Sequence, residues 1–240
     1  MFGAAQIAAT TPASPLREFA TSYARSRIAV AALVALLLIL AVAICAPLIS
    51  PQNPYDLAQL DIMDSKLAPG AKSGAGWTFW LGTDDQGRDM LSAIFHGLRI
   101  SLGVGVLSTV VALAIGIMVG LIAAYSGGWT DAIIMRVVDL QLSFPAILIA
   151  LILLAILGQG VDKIVVALIT VQWAYYARTV RGAALVEKRK EYVDAAVCLG
   201  YSPLRIVLRH IMPNVLPPLI VVATVQVAHA IALEATLSFL

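Results

Sequence analysis

Residues 100–124 read ISLGVGVLSTVVALAIGIMVGLIAA, 25 consecutive positions without a formal charge. A helix on the surface of a soluble domain keeps a polar face, and this run has none. About 20 apolar residues are enough for a helix to cross the hydrocarbon layer of a bilayer, so the run is long enough to span one. Gly116 and Gly120 within it form a small-xxx-small pair, which lets two helices approach closely. The solvent that this stretch requires is lipid, and the rest of the chain follows from that.

Working outward, 60% of the 240 residues are hydrophobic and 12% are charged, with a mean hydropathy of +0.91. A soluble domain carries about twice that charge fraction. A net charge of +2 is too small to argue for a nucleic-acid partner. Residues 28–48 form another uncharged run, longer than a signal-peptide core, and read as a retained signal-anchor behind Arg17, Arg25 and Arg27. Ile44 is too large to precede a lipoprotein cysteine, so Cys45 and Cys198 are expected to be unpaired structural thiols.

Residues 142–157 give a third span with Pro145 near its start, where a missing N–H costs least. Residues 125–141 read as a short connection. Residues 164–177 are short for a span, and suffice if Val161, Thr179 and Val180 are included while Lys163 and Arg178 snorkel to opposite interfaces. Residues 215–233 supply the fifth. Lys66, Lys72, Arg88, Arg99 and Lys163 fall on one side of these spans and the other eleven Lys and Arg on the opposite side. The positive-inside rule then puts the N-terminus in the cytoplasm, the acidic loop after the first span outside, and residues 178–212 inside.

That last segment is long, alternates charge with apolar residues and reads as two short helices. Residues 187–199 offer Val193, Ala196, Val197 and Leu199 as an apolar side, with Gly200 as the terminator. Ser202 and Pro203 are placed to open a second helix, with Leu204, Val207, Leu208 and Ile211 as its stripe and Pro213 as its end. Such a unit suits either docking to a soluble partner or lying on lipid.

The residues also carry a resemblance. Asp194-Ala195-Ala196, three residues, Gly200, twelve residues and Pro213 has the spacing of the EAA signature of ABC importer permeases. Asp194 stands for the usual Glu, His210 for Ile and Met212 for Leu. Residues 81–89 (LGTDDQGRD), 209–214 (RHIMPN) and 233–240 (LEATLSFL) resemble the second permease of the dipeptide/oligopeptide/nickel group.

The resemblance implies an all-α, polytopic transmembrane bundle of the type I importer class. Five spans are visible here, and a sixth is expected beyond Leu240, as in a chain truncated relative to its relatives. It divides the chain into a tail, first span and loop start (1–66), the remaining loop (67–97) and a transmembrane core (98–240) containing a coupling segment (187–213). It further implies a homologous permease partner, two ATPase subunits docking at Asp194, Ala195, Ala196, Gly200 and Pro213, and an extracytoplasmic binding protein that delivers peptides. Nickel is the alternative cargo, since the binding protein chooses it; a secondary transporter is the distant one, disfavoured by nearly charge-free spans without repeats.

No cofactor is expected in the chain itself, ATP being bound by the separate ATPases. It has no G-x-x-x-x-G-K-[ST] loop, H-E-x-x-H or G-x-S-x-G, so an enzyme is not expected. His229, Gln172 and Gln226 are the candidates for lining a pathway, with helix–helix hydrogen bonding as the alternative role. Glu234 is given either a solvated or a structural place. The Asp84, Asp85, Arg88 and Asp89 cluster is expected to cap turns rather than bind metal, and His96 to lie at the interface.

Overall fold

In the computed structural model residues 15–74 and 76–239 are described, with side chains from Ala20 onward. Residues 1–14, the Arg17 side chain and Leu240, used above, lie outside them. The chain divides after His96 into two compact units.

In the first unit, α1 (Pro15–Arg25) leads through Ser26 into α2 (Arg27–Ile49). Ser26 caps α2 by accepting a hydrogen bond from the Ala29 N–H at 3.3 Å, and the Tyr23 hydroxyl donates to the Ala29 carbonyl at 2.9 Å. Ala43 and Ala46 are the buried residues of α2, whose large apolar side chains otherwise point outward. An all-apolar helix with so little protein contact needs lipid around it.

The loop that follows is ordered by polar groups. Gln52, almost fully buried, donates to the carbonyls of Gln59 (2.8 Å) and Gly87 (3.4 Å) and accepts from the Asp89 N–H (2.7 Å). Thr83 accepts from the Leu67 N–H at 2.8 Å and donates to the Asp64 carbonyl at 2.5 Å. A two-stranded antiparallel ribbon, β1 (Ala71–Lys72) with β2 (Thr78–Phe79), buries Phe79.

The remaining helices are α3 (Met90–Ser126), α4 (Gly128–Ser143), α5 (Ala146–Leu157), α6 (Val161–Glu187), α7 (Glu191–Cys198), α8 (Pro203–Ile206) and α9 (Met212–Phe239). Among the described residues, α2, α3 and the continuous stretch Pro203–Phe239 are long and apolar enough to cross a membrane. The pair α4 and α5 passes the same test jointly, though the two helices meet at 90°.

Within the second unit, α6 is the central element, packed against α4, α5 and α9. Its buried face includes Ala167, Ala174, Ala177 and Ala184, small residues that let neighbouring backbones come close. Gly116 and Gly120 of α3 meet that face. A Cβ at Gly116 would lie 2.3 Å from the Tyr176 Cβ, and one at Gly120 would lie 2.6 Å from the Ala177 carbonyl oxygen.

The structure corrects three expectations. Residues 125–141 are not a simple connection: Gly127 and Gly128 turn the chain with φ of +64° and +53°, and α4 starts at once. The third span does not begin at Leu142, because Leu142 and Ser143 finish α4 and the helix restarts after the Phe144–Pro145 break. Pro213 does not end a helix. A π-type turn over Val207–Ile211, with the Met212 N–H reaching the Val207 carbonyl, joins α8 to α9 and carries the chain through Pro213, Pro217 and Pro218.

Candidate functional site

The segment between α6 and α9 is anchored by burial. Val193 and Ala196 of α7, Ile206 of α8 and Ile211 of the π-type turn are at most 3% exposed. They share one apolar cluster with Leu121 of α3, Val180 of α6 and Leu219 of α9. Val197, Leu199, Leu204 and Leu208, assigned to the apolar side from sequence, are instead exposed. The expected stripe therefore holds in part: Val193, Ala196 and Ile211 point inward, while Ile206, which was not singled out, takes a place expected for Leu204.

The residues with the signature spacing occupy defined positions. Asp194 is exposed in the first turn of α7, where a carboxylate faces the positive end of the helix. Gly200 ends the helix with φ +73°, a conformation that costs a side-chain-bearing residue about 1–2 kcal/mol. Its N–H bonds the Val197 carbonyl at 2.9 Å, and the Tyr201 N–H reaches back to Ala196 at 3.2 Å. Ala195 and Pro213 are exposed, whereas Ala196 faces the core. Ser202 precedes Pro203 in extended conformation, yet its side chain makes no capping bond. The first helix also starts later than expected: α6 runs to Glu187, and Lys188–Lys190 form a turn before α7.

Polar side chains join this segment to the long helices. Lys188 donates to the Ala124 and Tyr125 carbonyls at 3.2 and 2.7 Å, placing a cation on the last turn of α3. The Tyr192 hydroxyl donates to Glu187 Oε2 at 2.6 Å and receives the Asn214 amide at 3.2 Å. Burial and the Glu187 carboxylate push the Tyr192 phenol up to about 12. Nearby, Arg181 grips Asp131 of α4 with two nitrogens at 2.5 Å, and Arg178 pairs with Asp139. Sequence patterning missed these pairs because their members lie 50 and 39 residues apart.

The three candidates for lining a pathway come together. Gln172 of α6 with Gln226 and His229 of α9 line one cavity of about 150 Å³, alongside Tyr175 and the apolar Val171 and Leu233. Gln172 and Gln226 are buried, and His229 is exposed. The Thr109 hydroxyl donates to Gln172 Oε1 at 3.2 Å, linking α3 to α6. Glu234 is buried away from solvent and accepts from Ser101 at 2.7 Å and Ser238 at 2.8 Å, so its place is structural rather than solvated.

The loop acids serve backbone geometry. Asp84 accepts from the N–H groups of Gln86 (2.8 Å) and Arg88 (3.0 Å) and from Arg88 Nε (2.7 Å). Burial alone would raise its carboxyl, but these donors outweigh it and hold the group below the usual carboxylate range. Asp89 accepts from Ser92 at the start of α3, and His96 stacks edge-on against Tyr55. Among the described residues no group of three or more His, Cys, Asp and Glu is disposed to hold a metal ion.

This architecture has relatives. Residues 116–240 match the family of binding-protein-dependent transport system inner membrane components, and residues 14–69 match the N-terminal TM domain of oligopeptide transport permease C. The chain is 38% identical over 95% of its length to the di/tripeptide transport system permease DppC of Pseudomonas aeruginosa, covering 74% of that protein. It is 37% identical, again over 95%, to the glutathione transport system permease GsiD of Pectobacterium atrosepticum, covering 73% of it. Among solved structures, an inward-facing form of the MetNI methionine ABC transporter shares the fold, with TM-score 0.55 and 21% identity over 61% of this chain and 74% of that one. A predominantly helical membrane bundle, a segment with the signature spacing between α6 and α9, and these matches agree, and the chain belongs to the family of binding-protein-dependent transport system inner membrane components.

Proposed function

We propose that the chain is the permease subunit that frames, with a homologous partner permease, the membrane pathway of an ATP-driven peptide importer. Peptide as cargo is supported by the named substrates of relatives 37–38% identical to it, one for di/tripeptides and one for glutathione. The N-terminus is cytoplasmic, the 50–89 loop faces the binding protein, and two ATPase subunits power the cycle, one of them docking on residues 187–213. The chain neither hydrolyses ATP nor holds a cofactor.

One observation carries the coupling role. Asp194 and Ala195 are exposed on a short helix, with Gly200 exposed just beyond its end, and the helix's opposite face, through Val193 and Ala196, is buried in the same cluster as residues of α3, α6 and α9. A force applied to the exposed face is thereby delivered to the spans. A docked ATPase acts only through its different affinity for the inward and outward states. The cavity lined by Gln172, Gln226 and His229 is the chain's share of the pathway, and its amide and imidazole groups suit a peptide backbone.

The test is co-purification of the chain from membranes with candidate ATPases, comparing it with a Gly200→Pro, Asp194→Lys variant. Association lost only in the variant is the expected result. Equal association and transport by both would remove residues 187–213 from the coupling role.

A further inference from the structure

A lever works only if it is joined stiffly to what it moves, and the buried contacts of α7 are not stiff in every direction. Val193 and Ala196 make apolar contacts, which resist separation yet are non-directional and tolerate sliding. Directional bonds must fix the angle of α7, and one side chain supplies them. The Tyr192 hydroxyl sits 2.6 Å from Glu187 Oε2, 3.2 Å from Asn214 Nδ2 and 3.3 Å from the His210 carbonyl. A phenol has a single proton to donate. The short contact to a carboxylate takes it, and Asn214 donates into the oxygen.

Each neighbour is itself held. Lys190 Nζ binds the other Glu187 oxygen at 2.7 Å, and Asn214 also donates to the His210 carbonyl at 2.7 Å. His210 lies in the π-type turn, where the helical ladder changes from i+4 to i+5 spacing, so the node braces the weakest point of the entry into α9. Tyr192 as a residue is 37% exposed, so burial alone does not fix where its hydroxyl stands.

We propose that Tyr192 is the positioning residue that makes the coupling helix move with α6 and α9 together, through its bonds to Glu187 and Asn214. The proposal rests on residues 187–213 being the coupling segment. Asp194 is two positions along the same helix, so an ATPase that displaces it turns Tyr192 and, through it, both long helices.

The experiment uses the full complex of this chain with its partner permease, ATPases and binding protein in liposomes, and reads labelled dipeptide taken up per ATP hydrolysed. Tyr192→Phe keeps the ring and removes the node, and that ratio is expected to fall roughly tenfold, as for loss of a hydrogen bond to a charged acceptor. Glu187→Gln retains an acceptor oxygen but removes its charge, and is expected to lower the ratio by less than Tyr192→Phe does. Asn214→Leu should lower the ratio, and adding it to Tyr192→Phe should lower it by less than the sum of the two single losses, since both break one node. A residue that merely stabilised the fold would reduce the amount of complex while leaving the ratio unchanged.

An unchanged ratio in Tyr192→Phe overturns the proposal, as do additive losses in the double variant. Should Tyr192→Phe fail to assemble, Asn214→Leu decides alone, an unchanged ratio counting against the node. Gly200→Pro separates the two levels. If it abolishes uptake while Tyr192→Phe leaves the ratio intact, the node fails and the coupling segment stands; if Gly200→Pro transports normally, both fail.

Discussion

Residues 50–89 and residues 187–213 are both irregular connections between long helices, and they are held by opposite means. Among the described residues the buried side chains of the first are Gln52, Pro54, Ser73, Phe79 and Asp89; its three polar members are hydrogen-bonded, Gln52 to the loop's own backbone, Ser73 to Asp64 and Asp89 to Ser92. Those of the second are Val193, Ala196, Ile206 and Ile211, all apolar and packed on the spans. A polar network closes on itself and gives a loop with a shape of its own. An apolar anchor has no shape until the helices supply one, which suits the coupling role proposed for this segment.

The largest expected effect breaks the apolar anchor. Val193→Asp places an unpaired charge in the cluster shared with Leu121 and Leu219, at a cost of about 4 kcal/mol. Residues 187–213 should become protease-sensitive and ATPase association should be lost, with the 50–89 loop unaffected. Cleavage confined to residues 50–89 would reverse the comparison.

Next come two glycines with nearly the same backbone and different surroundings. Gly87 has φ +75° and Gly200 has φ +73°. A Cβ at Gly87 would stand 2.2 Å from the Asp61 carbonyl oxygen, while at Gly200 nothing lies within 4 Å. Gly87→Ala should cost roughly 3 kcal/mol, strain and clash together, and open the loop to limited proteolysis. Gly200→Ala should cost only about 1–2 kcal/mol, from the left-handed backbone alone. Measuring both by hydrogen exchange tests whether the loop is as tightly self-packed as its geometry requires; equal effects would show that it is not.

The contrast also explains what could be read from the chain beforehand. Long uncharged runs fix α2, α3 and most of α9 because lipid leaves no other solution. Gly200 and the acid-and-alanine pattern before it are local, and so were legible. α4 was hidden because Gly127-Gly128, Asp131, Arg136 and Asp139 read as a turn, while the Arg181 and Arg178 that stabilise it come from α6. The π-type turn before Pro213 has no local signature, and a proline that normally closes a helix was read as closing this one. Gln172, Gln226 and His229 were visible one by one as polar residues in apolar runs, but their convergence on one cavity depends on how α6 packs against α9.

The smallest effect distinguishes the two regions by pH. The Asp84 carboxyl is held below its ordinary value of 3.8 by the Gln86 and Arg88 N–H groups and the Arg88 guanidinium, against the opposing effect of burial. A carboxyl lowered in the folded state adds stability that is fully present above the unfolded value. That contribution disappears as pH falls through the folded one. The loop should therefore loosen as pH drops below about 3.8, visible as a shift in the fluorescence of Trp77, which is half-buried in it. Asp84→Asn keeps one acceptor oxygen and does not titrate, so it should flatten that transition while weakening the loop at neutral pH. An acid transition that survives Asp84→Asn would assign the pH response to another carboxyl and leave the Asp84 turn as scaffolding that folds regardless of charge.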